Sequence, residues 1–91
     1  MRDIDQLIGK PALLEQLAEG ATELAKAALK QARILRGDNP TPITEQEAIN
    51  NVVEEFTDVI HCARELRIPA DESQIISKDQ RWHDRINARH I

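Results

Sequence analysis

A group of acidic residues interrupts a strongly apolar stretch in the middle of the chain. Glu54, Glu55 and Asp58 lie between Val52–Val53 and Val59–Ile60. Glu55 and Asp58 are three residues apart, so on a helix they project from neighbouring turns, about 60° apart around the axis. Carboxylates placed in this way can share a divalent cation, although the same acids also suit the solvent-facing side of an ordinary amphipathic helix.

A second acidic row lies earlier in the chain. Glu15, Glu19 and Glu23 follow one another at four-residue intervals, which places them on one face of a helix. At about 100° per residue, Glu23 lies near the edge of the apolar arc, whereas Glu15 and Glu19 turn further toward solvent. If the two helices pack side by side, Glu23, Glu55 and Asp58 converge at the rim of the contact between them.

Convergence of several carboxylates predicts a cation. Two carboxylates about 4 Å apart repel each other by roughly 4 kcal/mol at an effective dielectric constant near 20, so a cluster is unfavourable by itself. Oxygen ligands suit Mg²⁺, with Mn²⁺ as an alternative, and Mg²⁺ commonly binds substrate phosphates as well. Such a metal can hold a polyphosphate and polarise a water for in-line attack on phosphorus.

Two long helices must position these acids, and the sequence predicts both. The first runs from Ala12 to about Leu35, with apolar residues at three- and four-residue steps and Pro11 suited to its first turn. The loop at 36–42 contains one glycine and two prolines. The second helix begins at a capping box over 44–47 and keeps one apolar face to about Arg67. A short helical turn over 3–8, closed by Gly9, precedes them.

A third helical pattern begins near Ala70 to Glu72, after Pro69. Its apolar residues are expected to be buried; they are Ile75, Ile76, Trp82 and Ile86. Its polar side is basic and carries Lys78, Arg81, Arg85 and Arg89. These cations can reach phosphate oxygens, or they can form a solvated basic face that pairs with acidic neighbours.

The predicted fold class is all-α, a small helical bundle of two long antiparallel helices plus a shorter C-terminal helix, in a single domain over residues 1–91. The chain has one Trp, one Phe and no Tyr, so its core must be aliphatic. One short third helix cannot cover the apolar stripe of a long hairpin. We therefore expect oligomerisation to complete the bundle, with a dimer forming a four-helix core.

Composition narrows the range of partners. A net charge of −4 argues against binding to a nucleic acid polymer, which requires a basic surface. The single cysteine, Cys62, has no partner for an internal disulfide, which favours a reducing compartment. No run approaches the roughly 20 apolar residues of a membrane span. We expect a cytoplasmic protein with no membrane partner.

Two stretches resemble a known family. Leu17–Ala27 and Asn51–Val59 are similar to the paired acidic helices of the MazG-like, all-α nucleoside triphosphate pyrophosphohydrolases, and the resemblance spans about residues 7–68. Members bind Mg²⁺ and hydrolyse nucleoside triphosphates between the α- and β-phosphates, giving a monophosphate and pyrophosphate. They work as dimers or tetramers. The resemblance implies the same activity, metal and homodimeric or homotetrameric assembly here.

The family motif transfers to this chain at all but one position. Glu23, Glu55 and Asp58 match metal ligands, and Glu19 matches the first Glu of a doublet whose second position is occupied here by Gly20. Glu19 is thus an auxiliary ligand or a water-orienting base, and Glu19 and Glu55 are the predicted catalytic residues. The predicted substrate-binding residues are Asn51, Lys78, Arg81 and Arg85.

Gly20 leaves alternatives open. Either Glu19 and water complete the coordination, or the metal binds weakly, or the chain has lost catalysis and kept the fold. In the last case it is a non-catalytic helical interaction protein on the same scaffold. A plain structural hairpin with no metal site is the third interpretation, and it predicts acids turned out into solvent.

Overall fold

The computed structural model describes residues 4–38 and 43–89, which form helices joined by short connections. The helices are α1 (Ile4–Ile8), α2 (Lys10–Arg36), α3 (Glu45–Glu65) and α4 (Glu72–Arg89). These ranges contain no strand, so the predicted all-α class is confirmed. None of these helices is long and apolar enough to cross a membrane. The parts of the predicted turn and loop that fall on residues 3 and 39–42 lie outside the described residues.

Helix α2 begins and ends within two residues of its predicted limits. Pro11 occupies its first turn, where a missing N–H leaves no helical hydrogen bond unmade. Gly37 closes the helix in the left-handed conformation, with φ 75°. The Gly37 N–H donates to the Ile34 carbonyl (3.0 Å) and the Asp38 N–H donates to the Arg33 carbonyl (3.2 Å). This pair of bonds is a Schellman motif, which satisfies carbonyls at the helix end.

Side-chain caps begin the two later helices. The Thr44 hydroxyl accepts a hydrogen bond from the Glu47 N–H (3.1 Å), as the predicted capping box requires. At α4 the Asp71 carboxylate accepts from the Gln74 N–H (3.0 Å) and from the Ser73 hydroxyl (2.7 Å). These bonds, that from Ser73 most of all, lower the pKa of Asp71. The starts of α3 and α4 are therefore specified by local sequence.

Helices α2 and α3 pack against each other as the predicted antiparallel hairpin. Gly20 lies against Val59, whereas Lys30, further along α2, shares a groove with Asn51, which is earlier on α3. Among the described residues, those that are buried are Leu13, Ala48 and Leu66. Several residues of the predicted apolar faces are instead exposed; they are Leu14, Leu35, Val53 and Phe56. Two helices can cover only the seam between them, so the outer part of each stripe stays uncovered.

The prediction that α4 buries its apolar residues is wrong for the single chain. Ile75, Ile76, Trp82 and Ile86 are 50%, 69%, 64% and 40% exposed. Helix α4 makes no extensive packing contact with α1, α2 or α3. The radius of gyration is 17.2 Å, against about 12 Å for a compact chain of this length. The amphipathic pattern of α4 is real, but within residues 4–38 and 43–89 no other helix covers its apolar face.

Replacing Gly20 by Ala is expected to raise the free energy of unfolding by about 0.5–1 kcal/mol, because glycine inside a helix loses more backbone entropy on folding. The space is available, since a Cβ at this position would lie 3.4 Å from Val59 Cγ2. Urea denaturation measures the change. Ala25→Gly, at an exposed site on the same helix, should show the opposite shift, and a loss of stability in Gly20→Ala would contradict the prediction.

Candidate functional site

One groove follows the exposed side of the α2–α3 seam and has a volume of about 320 Å³ at its acidic part. Its lining residues from α2 are Gln16, Glu19, Gly20 and Glu23, and those from α3 are Glu55, Asp58, His61 and Cys62. The structure thus brings the four predicted ligand carboxylates of two helices to one surface. The antiparallel packing causes this, because it sets the acidic stripes of the two helices beside each other.

The four carboxylates differ in exposure. Glu55 is half-buried, whereas Glu19, Glu23 and Asp58 are exposed. Glu23 forms an ion pair with Lys26 (3.3 Å) on its own helix. Within residues 4–38 and 43–89, no three His, Cys, Asp or Glu side chains converge closely enough to hold a metal ion. Repulsion between carboxylates favours this spread arrangement in the metal-free state, so binding of a cation would require side-chain rotation.

The surroundings of Glu55 disfavour its charged form. Its partial burial raises its pKa, and the nearby charges of Asp58, Glu54 and Glu23 raise it further. Glu23 belongs to the opposite helix, so the electrostatic field at Glu55 has contributions from both sides of the seam. A half-buried carboxylate with a raised pKa is a good proton acceptor, and such groups are common at functional sites.

Gly20 of α2 lies directly against Val59 of α3. A Cβ added there would touch Val59 at 3.4 Å, which is ordinary contact. Because Gly20 also lines the groove, any side chain at this position would begin inside it. The groove therefore has room for a side chain at residue 20, the position at which the predicted motif has a further metal ligand.

The donor chemistry of the groove fits a hard divalent cation. All four predicted ligands present carboxylate oxygens, which suit Mg²⁺, Mn²⁺ or Ca²⁺ better than softer metals. The neighbouring His61 and Cys62 would favour softer metals, but Cys62 is half-buried and His61 Nε2 lies 3.5 Å from Glu65 Oε1 on its own helix. Mg²⁺ is compatible with these residues, and its binding here stays a prediction.

The groove continues toward the C-terminal end of α2. This second part, also about 320 Å³, is lined by Glu23, Lys26, Ala27, Lys30, Asn51 and Glu55. Asn51 therefore shares a groove with Glu55, one helical turn away. Lys26 and Lys30 were not among the predicted site residues. The sequence did contain a signal for these two lysines. Glu19, Glu23, Lys26 and Lys30 follow one another at intervals of four, three and four residues, which places them on one helical face.

The other predicted substrate-binding residues lie elsewhere. Lys78, Arg81 and Arg85 line a separate cavity of about 340 Å³ on α4, together with Asp84. No α2 or α3 residue in the described ranges contributes to that cavity. Within one chain the basic side of α4 is thus not brought to the acidic groove, and its role in binding substrate remains a prediction.

Comparisons with protein-family models, curated proteins and solved structures found no match to this chain. The groove combines four carboxylates at its centre with two lysines and an amide at one end. This is an arrangement suited to a cation together with a polyanion.

Proposed function

We propose that the chain is a Mg²⁺-dependent nucleoside triphosphate pyrophosphohydrolase of the MazG-like type, releasing a nucleoside monophosphate and pyrophosphate. One observation carries the proposal: Glu19, Glu23, Glu55 and Asp58, from two antiparallel helices, line a single groove. The raised pKa of Glu55 supports it, because the cause includes charges from both helices. The substrates are cytoplasmic metabolites, so we propose a cytoplasmic location.

The proposed reaction is an in-line displacement at the α-phosphorus. Mg²⁺, or Mn²⁺ in its place, would neutralise the carboxylates and polarise both the phosphate and the attacking water. Glu55 accepts a proton as the water oxygen forms its bond to the α-phosphorus, and Glu19 orients that water or serves as an auxiliary ligand. The bond from the α-phosphorus to the bridging oxygen breaks, and pyrophosphate leaves with the electron pair. The proton on Glu55 then passes to solvent.

Direct assay tests the activity. The purified chain is incubated with each ribonucleoside and deoxyribonucleoside triphosphate in the presence of Mg²⁺, and the products are separated and quantified. We expect monophosphate and pyrophosphate in equal amounts from at least one substrate, and no inorganic phosphate. Absence of pyrophosphate from every substrate, with Glu55→Gln indistinguishable from wild type, contradicts the proposal.

We also propose that the working form is a homodimer or homotetramer. The single chain exposes 7553 Å² of surface, whereas a compact monomer of 10.3 kDa exposes roughly 5,400 Å². The excess, roughly 2,200 Å² per chain, is on the scale of an obligate interface. Exposed apolar residues lie on both α4 and the hairpin, so a second copy of the chain offers the matching surface.

Replacing Trp82 by Asp is expected to convert the oligomer to monomers, because the Trp82 side chain is the largest apolar group on α4 and is 64% exposed in the single chain. A charge at the centre of an apolar interface typically weakens association by several kcal/mol. Analytical ultracentrifugation measures the mass. Ser77→Asp, about 140° around the same helix, is the matched control and should remain oligomeric. A monomeric wild type would contradict the assembly.

A non-catalytic helical interaction protein is the second candidate, and Gly20 is the observation that favours it. At Gly20, which lies against Val59 and lines the groove, α2 provides no carboxylate. On this alternative, Mg²⁺ leaves the thermal stability of the wild-type chain unchanged. The proposed enzyme instead gains stability with Mg²⁺, since any ligand that binds only the folded state raises Tm.

A further inference from the structure

Charge is segregated along the groove between α2 and α3. The carboxylates occupy its middle, with Glu23 and Glu55 lining both parts of it. Lys26 and Lys30 lie at the end toward the C-terminus of α2, together with Asn51. The opposite end has no lysine or arginine among its lining residues. A bound molecule that carries most of its negative charge at one end would therefore bind in one direction.

The two lysines differ in what they contact. Lys26 donates to Glu23 at 3.3 Å, with its side chain 70% exposed. Lys30 is half-buried and forms no ion pair with any residue in 4–38 or 43–89. Lys30 therefore has no counter-ion among these residues, and a bound anion would supply one through a charge-assisted hydrogen bond. Lys30 is thus the cation that the groove leaves available for a ligand.

Helix geometry directs both lysines toward the acids. Side chains on an α-helix lean toward its N-terminus, so Lys26 and Lys30 lean back toward Glu23. The observed Lys26–Glu23 contact follows this direction. The Cα atom of Lys30 lies about 10 Å along the helix axis from that of Glu23. Because the Lys30 side chain leans toward the N-terminus, its ammonium group can lie closer to Glu23 than this. Phosphates placed beside the carboxylates are therefore within reach of the lysines.

We propose that Lys26, Lys30 and Asn51 form the binding site for the β- and γ-phosphates of the substrate. The proposal rests on the proposed pyrophosphohydrolase function and adds the orientation of the bound triphosphate in the groove. The α-phosphorus lies beside Glu55, the leaving pyrophosphate departs from the lysine end, and the nucleoside occupies the end lined by Gln16 and His61. If Glu23 were to bind a metal ion, Lys26 would lose its ion-pair partner and could contact phosphate instead.

The test measures binding as well as turnover. Wild type and Lys30→Met are titrated calorimetrically, in Mg²⁺, with an α,β-methylene nucleoside triphosphate, which cannot be cleaved at the scissile position, and with the matching monophosphate. We expect Lys30→Met to bind the triphosphate analogue roughly tenfold more weakly, the scale of one charge-assisted contact. Its affinity for the monophosphate should be unchanged. Lys30→Arg should restore the affinity for the triphosphate analogue.

Lys10→Met is the matched control, because Lys10 is an exposed lysine of α2 that lines neither part of the groove. Circular dichroism melting confirms that each variant is folded. Equal binding of the triphosphate analogue by Lys30→Met and wild type contradicts the proposed phosphate-binding site. An equal loss of affinity for the analogue and for the monophosphate in Lys30→Met also contradicts it. If wild type still releases pyrophosphate in either case, the proposed function stands and only the proposed orientation of the triphosphate is wrong. A wild type that neither binds the analogue nor releases pyrophosphate overturns both.

Discussion

Glu55→Gln is expected to lower the rate of pyrophosphate release by at least about 100-fold, the scale of losing general base catalysis at a single position. Glutamine keeps the size of the side chain and its half-buried position, but it neither accepts the proton nor carries the charge that a divalent cation requires. The turnover number should fall, because the substitution removes an interaction of the transition state. Steady-state assay of pyrophosphate at saturating substrate measures the change.

Glu54→Gln is the matched control for this experiment. It makes the same chemical change one residue away, and Glu54 lines neither part of the groove. Its activity should stay close to that of wild type. Equal activity in Glu55→Gln and Glu54→Gln would rule out Glu55 as a catalytic residue, and an equal loss in both would point to net charge rather than to the groove.

The same substitution should make the metal-free protein more stable at neutral pH. Burial and neighbouring carboxylates raise the pKa of Glu55 above its ordinary value of 4.5, so the folded state binds this proton more tightly than the unfolded state does. Stability therefore falls as pH rises from the ordinary pKa through the raised one. Glu55→Gln does not lose stability in this way, because glutamine has no carboxyl group to ionise. Thermal melts in EDTA from pH 4 to 8 measure it, and Mg²⁺ should then stabilise wild type but not the variant.

Gly20→Glu is expected to strengthen Mg²⁺ binding by on the order of tenfold or more, since cation affinity rises with the number of charged ligands. The added Cβ would lie 3.4 Å from Val59, an ordinary contact, and the side chain would begin within the groove between Glu19 and Glu23. Gly20→Gln is the control, because it adds the same bulk without the charge. Calorimetric titration with Mg²⁺, and with Mn²⁺ as a second probe, measures the affinities.

The outcome of this pair separates the two candidate functions. Binding by wild type that becomes tighter in Gly20→Glu agrees with the enzyme. No binding by wild type, with binding gained in Gly20→Glu, agrees with a non-catalytic protein that has kept the scaffold. If neither wild type nor Gly20→Glu binds Mg²⁺, the groove is not a metal site, and the plain structural hairpin is the remaining interpretation.

Much of the helical framework was predictable because its signals are local. The α2 C-terminus depends on the left-handed Gly37, and the α3 N-terminus depends on the Thr44 hydroxyl, each of which acts within one helical turn. The acidic stripes were equally readable, since helical spacing alone places Glu19 with Glu23 and Glu55 with Asp58. Lys26 and Lys30 follow the same spacing, but helical spacing does not show which residues border the neighbouring helix, so the predicted substrate-binding residues did not include them.

By itself, then, the sequence determined the helices, their ends and the residues that share each face, because these depend on neighbours within a few positions. Only the tertiary structure decided what lies across a seam or remains uncovered. Antiparallel packing set Glu23 beside Glu55 and Lys30 beside Asn51, and it left Trp82 exposed on a helix without a partner. An amphipathic pattern shows that a face needs covering, but the covering surface is a long-range property that periodicity does not encode.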